Sequence, residues 1–443
     1  MHNPNFDFIP GSKDFKIQLD EISKIEGAAS LEVEVKDGRV EDLKFSISEW
    51  KRFYTQAIQG KPAVAVPSLV SRICGTCSNA HLLASLKAVE NAFDITISQQ
   101  TLLLRKLLYH GLIIRDHALH LYIFALPDVF KKNSILDFDM EDPVQHNMLD
   151  DAFSVKEVGN KLSIVIGGRS VHAPFPTVGG FLKLPKIDDI KTMRNELLSI
   201  RPKILSLIEL FAKTSFFHEV QAPFVFTSLV SHDFSYLEGE IRTSEGNTIQ
   251  QSNFDEHLHA VIIPYSHARG FSFEGNLLMV GAIARLTLGK QYLNKKTLKD
   301  TEKYLSFFPT KNLFYNNLAQ AIEILHSIDQ SIELIESVTT IAPEPPIKPV
   351  LKETSGVGVI EAPRGTLYYK FEINKEGVVQ KGEIIVPTGQ NQVIMERAIK
   401  EIVENLVRLG ATKEKIVYEI EKFIRAFDPC MSCASHFLKV NWK

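Results

Sequence analysis

Long apolar runs, an excess of charge of one sign and scattered cysteines are all missing from this chain of 443 residues. No run approaches the roughly 18 apolar residues that a membrane-spanning helix needs, so we expect no transmembrane segment. The formal net charge is only -3 at pH 7, which gives no electrostatic reason to expect a nucleic-acid partner. Internal repeats and low-complexity tracts are also absent. These absences favour an ordinary globular protein with a large core.

The stretch MHNPNFDFIPGSKDFK, at residues 1–16, lacks the basic-then-apolar pattern of a secretory signal peptide. We therefore expect a cytosolic protein. In a reducing compartment, thiols are more often metal ligands or redox groups than disulfides. This expectation directs attention to the cysteines.

The chain has four cysteines, arranged as two C-x-x-C pairs about 350 residues apart. SRICGTCSNAH contains Cys74 and Cys77, and FDPCMSCASH contains Cys430 and Cys433. Four thiolates brought together can bind a metal. A structural zinc held by two such pairs usually closes a loop of only roughly 15 to 20 residues. From spacing alone, a zinc scaffold, a redox metal site containing iron or nickel, and two separate redox dithiols remain open.

The residues beside the cysteines favour a metal site. Cys77 directly precedes a predicted helix, and the positive end of a helix favours thiolate over thiol. His81, in the first turn of that helix, could be a ligand or a hydrogen-bond donor to a ligating sulfur. The second pair follows Asp428-Pro429, where the proline cannot continue a helix. His436, three residues beyond Cys433, is open to the same two interpretations as His81.

The hydrophobic pattern predicts an α+β fold, with a mainly helical core, a small N-terminal antiparallel β region and further short strands. The N-terminal region, 16–48, alternates apolar and polar residues around a turn at Lys36-Asp37-Gly38. Helices are predicted from 78, with Ser78 or Asn79 as the cap, and over 101–126, where Pro127 ends the helix. Further helices are predicted over 188–217, 312–340, 391–408 and 413–426.

Two stretches, GEIRTSEGNTI and TLYYKFEINKEGVVQKGEIIVP, predict further short strands, and the Pro-rich segment 341–349 predicts a surface crossing. No boundary between domains is evident. Because the two cysteine pairs must meet to share a metal, we expect one unit over 1–443. Its β-rich part is expected over 1–50 and its mainly helical core over 51–443.

Together, these motifs resemble those of the large subunit of nickel-iron hydrogenases. R-I-C-G-x-C-x-x-x-H and D-P-C-x-x-C-x-x-H resemble its two metal-binding motifs, and KIEG, with Glu26, resembles its N-terminal glutamate motif. RDHALHLY, with Asp116 and His117, resembles its H-D-H helix. GGRSVHAPFPTVGG, EAPRGTLYY with Arg364 and VPTGQN with Thr388 resemble its later motifs. All of them follow in family order across essentially the whole chain.

The resemblance implies the large-subunit fold and the reversible oxidation of H2 to two protons and two electrons. By position, Cys74 and Cys430 would be terminal nickel ligands. Cys77 and Cys433 would bridge the nickel to an iron that carries cyanide and carbon monoxide. Soft thiolate ligands suit both metals.

The resemblance also implies roles for residues around the metals. Glu26 would be the first proton-relay carboxylate beyond Cys430, whereas the residue taken by itself more readily indicates an exposed acid in a strand. Arg364 would project over the open nickel-iron face, whereas its ordinary alternative is a surface salt bridge. Asp116 and Asp428 would pair with Arg364, because a buried cation needs partners. Otherwise, Asp116 would pair with His120 along its helix and Asp428 would only end a helix.

Two further residues, Pro363 and Thr388, would line the pocket that holds the diatomic iron ligands, with Thr388 or a nearby amide donating to a cyanide. Ordinary turn chemistry would also explain both. His172 is expected to be a core histidine bonded to backbone rather than a catalytic group.

The sequence departs from the family in two places. Thr55 stands where, by position in the chain, the family carries a glutamate that helps to bind magnesium near the C-terminal histidine. Threonine is a poor ligand for a hard cation, so a magnesium near His436 is in doubt. Family precursors are also cut after that histidine, whereas residues 437–443, FLKVNWK, follow it here. We expect either an uncut precursor or a retained tail.

Electrons released from H2 need a partner, because no cysteine remains for an iron-sulfur relay in this chain. The resemblance implies a small subunit with iron-sulfur clusters and, for a cytosolic group 3 type, further electron-transfer subunits. Two alternatives are a catalytically silent scaffold with a four-cysteine zinc and a quinone-reductase-type subunit. The latter generally lacks the four cysteines.

Overall fold

The computed structural model describes residues 14–50 and 52–435, in which the strands form five small sheets. The strands are β1 (Phe15–Leu19), β2 (Ala29–Lys36), β3 (Arg39–Ile47), β4 (Pro176–Thr177), β5 (Gly180–Phe181), β6 (Phe224–Val230), β7 (Glu240–Thr243), β8 (Thr248–Ile249), β9 (Leu258–Val261), β10 (Gly270–Phe273), β11 (Leu277–Met279), β12 (Thr354–Ala362), β13 (Gly365–Ile373) and β14 (Val379–Ile385).

Helices make up most of the remaining ordered structure. They are α1 (Tyr54–Ala57), α2 (Val66–Val70), α3 (Ser78–Ala92), α4 (Gln99–Ala118), α5 (Leu126–Val129), α6 (Pro143–Gly167), α7 (Ile187–Ala212), α8 (Ala282–Gly289), α9 (Lys295–Leu305), α10 (Tyr315–Ser337), α11 (Pro387–Arg408), α12 (Lys413–Ala426) and α13 (Met431–Ala434). A π-helical turn, Leu119–Ala125, continues α4 into α5.

The predicted N-terminal β region is confirmed as the antiparallel sheet β1-β2-β3. Its hairpin turn has positive φ at Asp37 (49°) and Gly38 (75°), which is the backbone geometry of tight two-residue hairpin loops. Alternate residues of β2 are buried, as a sheet with one covered face requires. The buried face joins the main hydrophobic core, which also contains all four cysteines.

The predicted strands in 366–387 are confirmed as β13 and β14, but the sequence analysis missed their neighbour β12. Two glycines explain its position. A Cβ added at Gly358 would lie 2.2 Å from the Ala84 carbonyl oxygen, and one at Gly356 would lie 2.2 Å from that of Ala88. The backbone of β12 therefore lies directly on α3, the helix that follows Cys77.

Two local predictions around helices are wrong. Helix α3 does begin at Ser78, but its cap position is Cys77, and neither Ser78 nor Asn79 takes that place. Pro127 does not end the long helix, because α4 passes through the π-helical turn and Pro127 lies in the first turn of α5. A proline is tolerated there since the first turn needs no donor from it.

Helix α4 crosses α6 at very short range. A Cβ added at Gly111 would lie 2.6 Å from Ser163 Oγ, and one at Gly159 would lie 2.7 Å from the Arg115 amide nitrogen. This crossing fixes the C-terminal half of α4, which carries Asp116 and His117. Helix α10 packs against both α4 and α7 in the same core.

The Pro-rich segment 341–349 has neither helix nor strand, in agreement with the prediction. Among the described residues, no helix combines the length and apolar character needed to cross a membrane.

Replacing Gly358 with Ala should destabilise the protein by about 1–3 kcal/mol, because the added methyl group would force β12 away from α3. Thermal or denaturant unfolding measures the change. Ser355→Ala, at an exposed position of the same strand, is the control and should change stability little. Equal stability of the two variants would contradict the close packing described here.

Candidate metal centre

The four cysteines form one buried cluster although they come from distant parts of the chain. Their sulfur atoms all lie within 4.8 Å of one another. Cys74 Sγ lies 3.3 Å from Cys430 Sγ, and Cys77 Sγ lies 3.1 Å from Cys433 Sγ. Cys430 Sγ and Cys433 Sγ are 3.0 Å apart. Among the described residues, no other group of histidine, cysteine and acidic side chains is arranged to hold a metal ion.

Local structure presents each pair on a turn at the start of a helix. Cys74 is extended after a single 3-10 turn, and Cys77 occupies the cap position of α3. Cys430 likewise precedes the short helix α13, which contains Cys433. Cys430 pairs with Glu26 in a parallel β-bridge, and the Met431 amide donates to the Glu26 carbonyl at 2.9 Å. The KIEG segment thus holds the second cysteine pair in place.

The electrostatics of the cluster favour a bound cation. Hydrogen bonds from the other three thiols lower the pKa of Cys74 well below its ordinary value. Burial and the neighbouring thiols raise the pKa of Cys430 well above its ordinary value, and burial raises that of Cys433. The protein alone therefore favours one thiolate and resists the rest. A metal stabilises all four as thiolates, so this donor set fits a thiophilic transition metal.

Beside the cluster, His81 contacts a sulfur through one ring nitrogen and a tyrosine through the other. Its Nε2 lies 3.4 Å from Cys433 Sγ, and its Nδ1 lies 2.7 Å from the Tyr369 hydroxyl. All three residues are buried. Of the two interpretations left open by the sequence, this geometry favours a hydrogen bond to the sulfur, with Tyr369 holding the ring.

The carboxyl group of Glu26 touches the cluster on another side. Its Oε2 accepts hydrogen bonds from Cys430 Sγ at 3.0 Å and from the Ser432 amide at 3.1 Å. Burial, followed by the charge on Cys74, raises the pKa of Glu26 above its ordinary value. Glu26 is only half-buried, so it connects the sulfurs with the exterior.

A small cavity of about 10 Å³ lies against the sulfurs, enough for about one water-sized sphere. Six of its lining residues are Cys77, Cys430, Cys433, Pro363, Arg364 and Thr388. Thr388 Oγ1 accepts a hydrogen bond from the Cys430 amide at 3.0 Å, so its own hydroxyl hydrogen remains to be donated elsewhere. The family motifs around Arg364 and Thr388 therefore meet at this cavity.

The guanidinium group of Arg364 is buried between two carboxylates. Nη2 donates to Asp428 Oδ1 at 2.9 Å, and Nη1 lies 3.0 Å from Asp116 Oδ1. Burial acts against this charge, but the two carboxylates and the sulfurs of Cys430 and Cys77 raise the pKa of Arg364 well above its ordinary value. Arg364 Nε is buried and has no acceptor in the described part of the chain. The surface salt bridge considered as an alternative is excluded, since Arg364 is only 4% exposed.

A second buried arginine holds the backbone that carries Arg364. Arg285 donates to the carbonyl oxygens of Ala362 and Pro363, each at 2.9 Å. Its other donors bind Glu323 at 2.6 and 2.7 Å and Glu361 at 2.9 Å. All five N–H donors of Arg285 are thus used.

His117 joins the same cluster, with Nε2 2.9 Å from Glu323 Oε2. It therefore lies behind Arg364 rather than against the sulfurs. The alternative pairing of Asp116 with His120 is wrong, because Asp116 pairs with Arg364 and His120 contacts Gln320 and the Arg425 carbonyl.

Of three other predicted residues, two make local hydrogen bonds and the third lies outside the described residues. His172 Nδ1 lies 3.0 Å from the Ser71 carbonyl oxygen, as expected for a histidine bonded to backbone, although it is only partly buried. Thr55 is buried and donates to Gln56 Oε1 at 2.9 Å. His436 and the tail 437–443 lie outside the described residues.

A surface groove of about 1130 Å³ lies between residues 37–40, residues 217–221 and α11. It is far larger than the cavity at the sulfurs but contains none of them, so cavity size alone would not have indicated the site.

Several residues at the site were missed from the sequence: Tyr369, Arg285, Glu323, Glu361 and Gln320. One available signal was Arg285, the single charge in the apolar helix AIARLTLG. A lone charge in such a segment needs a buried partner. The identities of the partners depend on how α8, α10 and β12 pack, which no local pattern states.

Comparison with known proteins agrees with this geometry. The family model described as nickel-dependent hydrogenase matches residues 52–148 and 230–436. The chain is 32% identical over 425 residues to the alpha chain of sulfhydrogenase 2 of Pyrococcus furiosus, covering 96% of this chain and 100% of that protein. It is 26% identical over 463 residues to a component of the F420-non-reducing hydrogenase of Methanothermobacter thermautotrophicus, covering 95% and 94%.

Solved structures show the same fold at lower identity. A crystal structure of an NAD+-reducing NiFe-hydrogenase in the H2-reduced state has a TM-score of 0.83 and 23% identity, covering 95% of this chain and 99% of that one. A reduced, active Ni-Fe-Se hydrogenase from Desulfomicrobium baculatum has a TM-score of 0.74 and 19% identity, covering 95% and 100%. The predicted α+β fold is confirmed.

Replacing Cys430 with Ala should abolish retention of the metal at the cluster, because one of four converging sulfurs is lost. Elemental analysis of the purified protein measures metal per chain. Met431→Leu, a buried neighbour that offers no ligand atom of this kind, should keep the metal. Full metal content in the Cys430→Ala variant would contradict the four-sulfur site.

Proposed function

The chain belongs to the nickel-dependent hydrogenase family and is a large catalytic subunit of that family, and we propose that it holds one nickel and one iron. The ligands would be Cys74, Cys77, Cys430 and Cys433. The chain is an oxidoreductase acting on H2, as the resemblance predicted. The observation that supports the metal pair is the convergence of four buried sulfurs within 4.8 Å of one another. The zinc scaffold gains no support, since an arginine between two carboxylates has no role in it.

The roles of the four sulfurs follow the resemblance to the family motifs. Cys77 and Cys433 would be the ligands shared with the iron, and Cys74 and Cys430 would be ligands of the nickel alone. Cys77, Cys430 and Cys433 line the cavity and Cys74 does not, so the cavity places Cys77 and Cys433 beside Pro363 and Thr388 but does not by itself separate them from Cys430. Cyanide and carbon monoxide on the iron would face Pro363 and Thr388, with the free Thr388 hydroxyl hydrogen donated to a cyanide.

When bound, the nickel-iron pair supplies the centre at which H2 is split into protons and electrons. Glu26 Oε2 accepts the proton that leaves by way of Cys430 Sγ, since these atoms are 3.0 Å apart. Glu26 then releases it towards the exterior, because its side chain is half-buried. A carboxyl group next to a terminal ligand is suited to this transfer.

The guanidinium group of Arg364 keeps a fixed positive charge at the cavity. Asp116 and Asp428 hold it from two sides, so it needs no reorganisation during the reaction. His81 donates to Cys433 Sγ through Nε2, which moderates the charge on that sulfur.

Electrons leave through another protein chain, because all four cysteines of this chain are used at the centre. We propose a small subunit with iron-sulfur clusters, docked over the loop at Arg72–Thr76. Arg72 and Gly75 are exposed there, and Thr76 Oγ1 lies 3.0 Å from Cys74 Sγ. This loop therefore gives the sulfurs a short connection to the surface. Similarity to the alpha chains of two sulfhydrogenases, whose names imply further chains, supports additional electron-transfer partners.

Magnesium is not part of the proposal, since the Thr55 hydroxyl is hydrogen-bonded to Gln56 and carries no charge.

We propose that the chain acts as one catalytic unit. Glu26 from the N-terminal part contacts Cys430, so neither part of the chain contains the complete site.

Infrared spectroscopy of the purified complex tests the proposed function. Cyanide and carbonyl stretching bands that shift under H2, together with nickel and iron, are expected. A blank spectrum from a complex containing zinc and no nickel would overturn the proposal.

Replacing Arg364 with Lys should leave both metals bound but lower H2 turnover by about 10²-fold or more, because the planar guanidinium is lost. Hydrogen oxidation with an artificial acceptor measures turnover. Arg105→Lys is the matched control, since Arg105 is also buried, and it pairs with Glu90 at 2.6 and 2.7 Å. Arg105→Lys should keep normal turnover. Normal turnover of Arg364→Lys would refute the role assigned to Arg364.

Replacing Glu26 with Gln should slow turnover by about 10²-fold or more while the metal content stays unchanged, because an amide cannot accept the proton. The same assay applies. Glu421→Gln is the control, because Glu421 accepts a hydrogen bond at 3.3 Å from Ser23, which is close to Glu26 in the sequence. We expect this variant to keep normal turnover. If Glu26→Gln works as fast as this control, the proton leaves by another route.

A further inference from the structure

A line of buried hydrogen bonds extends behind Arg364, away from the sulfurs. Asp428 Oδ1 binds Arg364, and its other oxygen, Oδ2, accepts from Gln320 Nε2 at 2.9 Å. Gln320 Oε1 lies 2.5 Å from His120 Nδ1. His120 Nε2 lies 2.7 Å from the carbonyl oxygen of Arg425. The side chains of all these residues are buried.

The acceptors at the two ends of this line indicate the direction of its hydrogen bonds. The carboxylate of Asp428 only accepts, so the Gln320 amide turns its NH2 group to Asp428 and its oxygen to His120. The Arg425 carbonyl also only accepts. Both nitrogens of His120 therefore face acceptors and both must donate. From these two contacts we infer a ring that carries a hydrogen on each nitrogen. In a neutral ring, one nitrogen would carry no hydrogen. That nitrogen would then face an acceptor oxygen, either that of Gln320 at 2.5 Å or that of Arg425 at 2.7 Å.

The fold builds this line from three separate elements. His120 lies in the π-helical turn Leu119–Ala125, a kind of turn that is frequent at functional sites. Gln320 lies in α10, and Arg425 lies near the end of α12. Asp428 Oδ2 is 3.9 Å from His120 Nδ1, so the positive ring faces a carboxylate. The Phe124 ring meets the imidazole edge-on at 6.5 Å.

We propose that Gln320 and His120 are positioning residues of the hydrogenase centre, which act on Arg364 through Asp428. Gln320 fixes the rotation of the Asp428 carboxylate, and the cationic His120 fixes which way the Gln320 amide points. A terminal carboxylate torsion is otherwise broad and nearly two-fold, so Asp428 alone would hold Arg364 less firmly. The inference rests on the role proposed above for Arg364.

Variants of the intact, metal-loaded complex test the proposal. Gln320→Leu removes both bonds, His120→Phe removes the orienting cation, and Gln320→Glu keeps the size while placing a second carboxylate against Asp428. Each should keep nickel and iron, lower kcat by about tenfold or more and change KM for H2 little. The double variant His120→Phe with Gln320→Leu should be no slower than Gln320→Leu, because the two residues act in series.

A spectroscopic signature separates positioning from general damage. The infrared bands of the centre should move in Gln320→Leu in the same direction as in Arg364→Lys. Gln392→Leu is the matched control, because Gln392 is equally buried and donates to the Phe45 carbonyl at 3.1 Å, away from this line. It should keep the normal kcat and bands. If Gln320→Leu fails to fold, Gln320→Glu carries the test, since its size is preserved.

Neutron diffraction from the perdeuterated complex tests the charge directly, and deuterium on both nitrogens of His120 is expected. A single deuterium there would overturn the proposal. So would normal kcat and bands in Gln320→Leu and Gln320→Glu while Arg364→Lys is slow. If Arg364→Lys itself keeps normal turnover, the failure lies in the proposed function instead.

Discussion

Negative charge gathered in a dry interior is the constraint on which the rest of this structure depends. Four cysteines with buried side chains lie within 4.8 Å of one another, and the pKa values of Cys430 and Cys433 are raised by that burial. Water cannot solvate such a group, so compensation must come from a metal and from fixed protein charges. Arg364 supplies a permanent cation at the cavity. The carboxylates around it balance its charge in the core and keep it aimed at the cavity.

Further charges surround this arginine. Asp116 and Asp428 bind Arg364 itself, and Arg285 with its two glutamates binds the backbone just before it. By our inference, a cationic His120 lies 3.9 Å from Asp428. Buried ion pairs of this kind contribute little net stability, because desolvation offsets their attraction. Their value here is geometric, since each charge has a fixed set of partners. Helices α4, α8 and α10 carry Asp116, Arg285 and Glu323 at buried positions, so the packing of the core and the geometry of the centre are set together.

How much of this could be predicted depended on whether the signal was local. The cysteine pairs, the hairpin at Asp37-Gly38 and the stretches containing Glu26, Arg364 and Thr388 are short motifs. The structure forms the hairpin as predicted, and it brings the cysteines together with Glu26, Arg364 and Thr388. Other features depend on tertiary packing. The strand β12 can lie on α3 only because Gly356 and Gly358, which have no side chain, contact the backbone of two alanines in α3. Pro127 is accommodated by a π-helical turn that no sequence pattern indicates. Tyr369 and Gln320 have no local signature, since their partners come from distant elements.

The meeting of two pairs separated by about 350 residues also has a mechanical consequence. A metal held by all four sulfurs ties the chain into one very large ring, much as a covalent cross-link would. The four sulfurs can meet only when the intervening helices and sheets are folded. Metal binding and folding of the whole chain therefore stabilise each other. Removing the metal would therefore loosen the attachment of the N-terminal sheet and the cohesion of the whole core, rather than leaving an intact shell around an empty pocket.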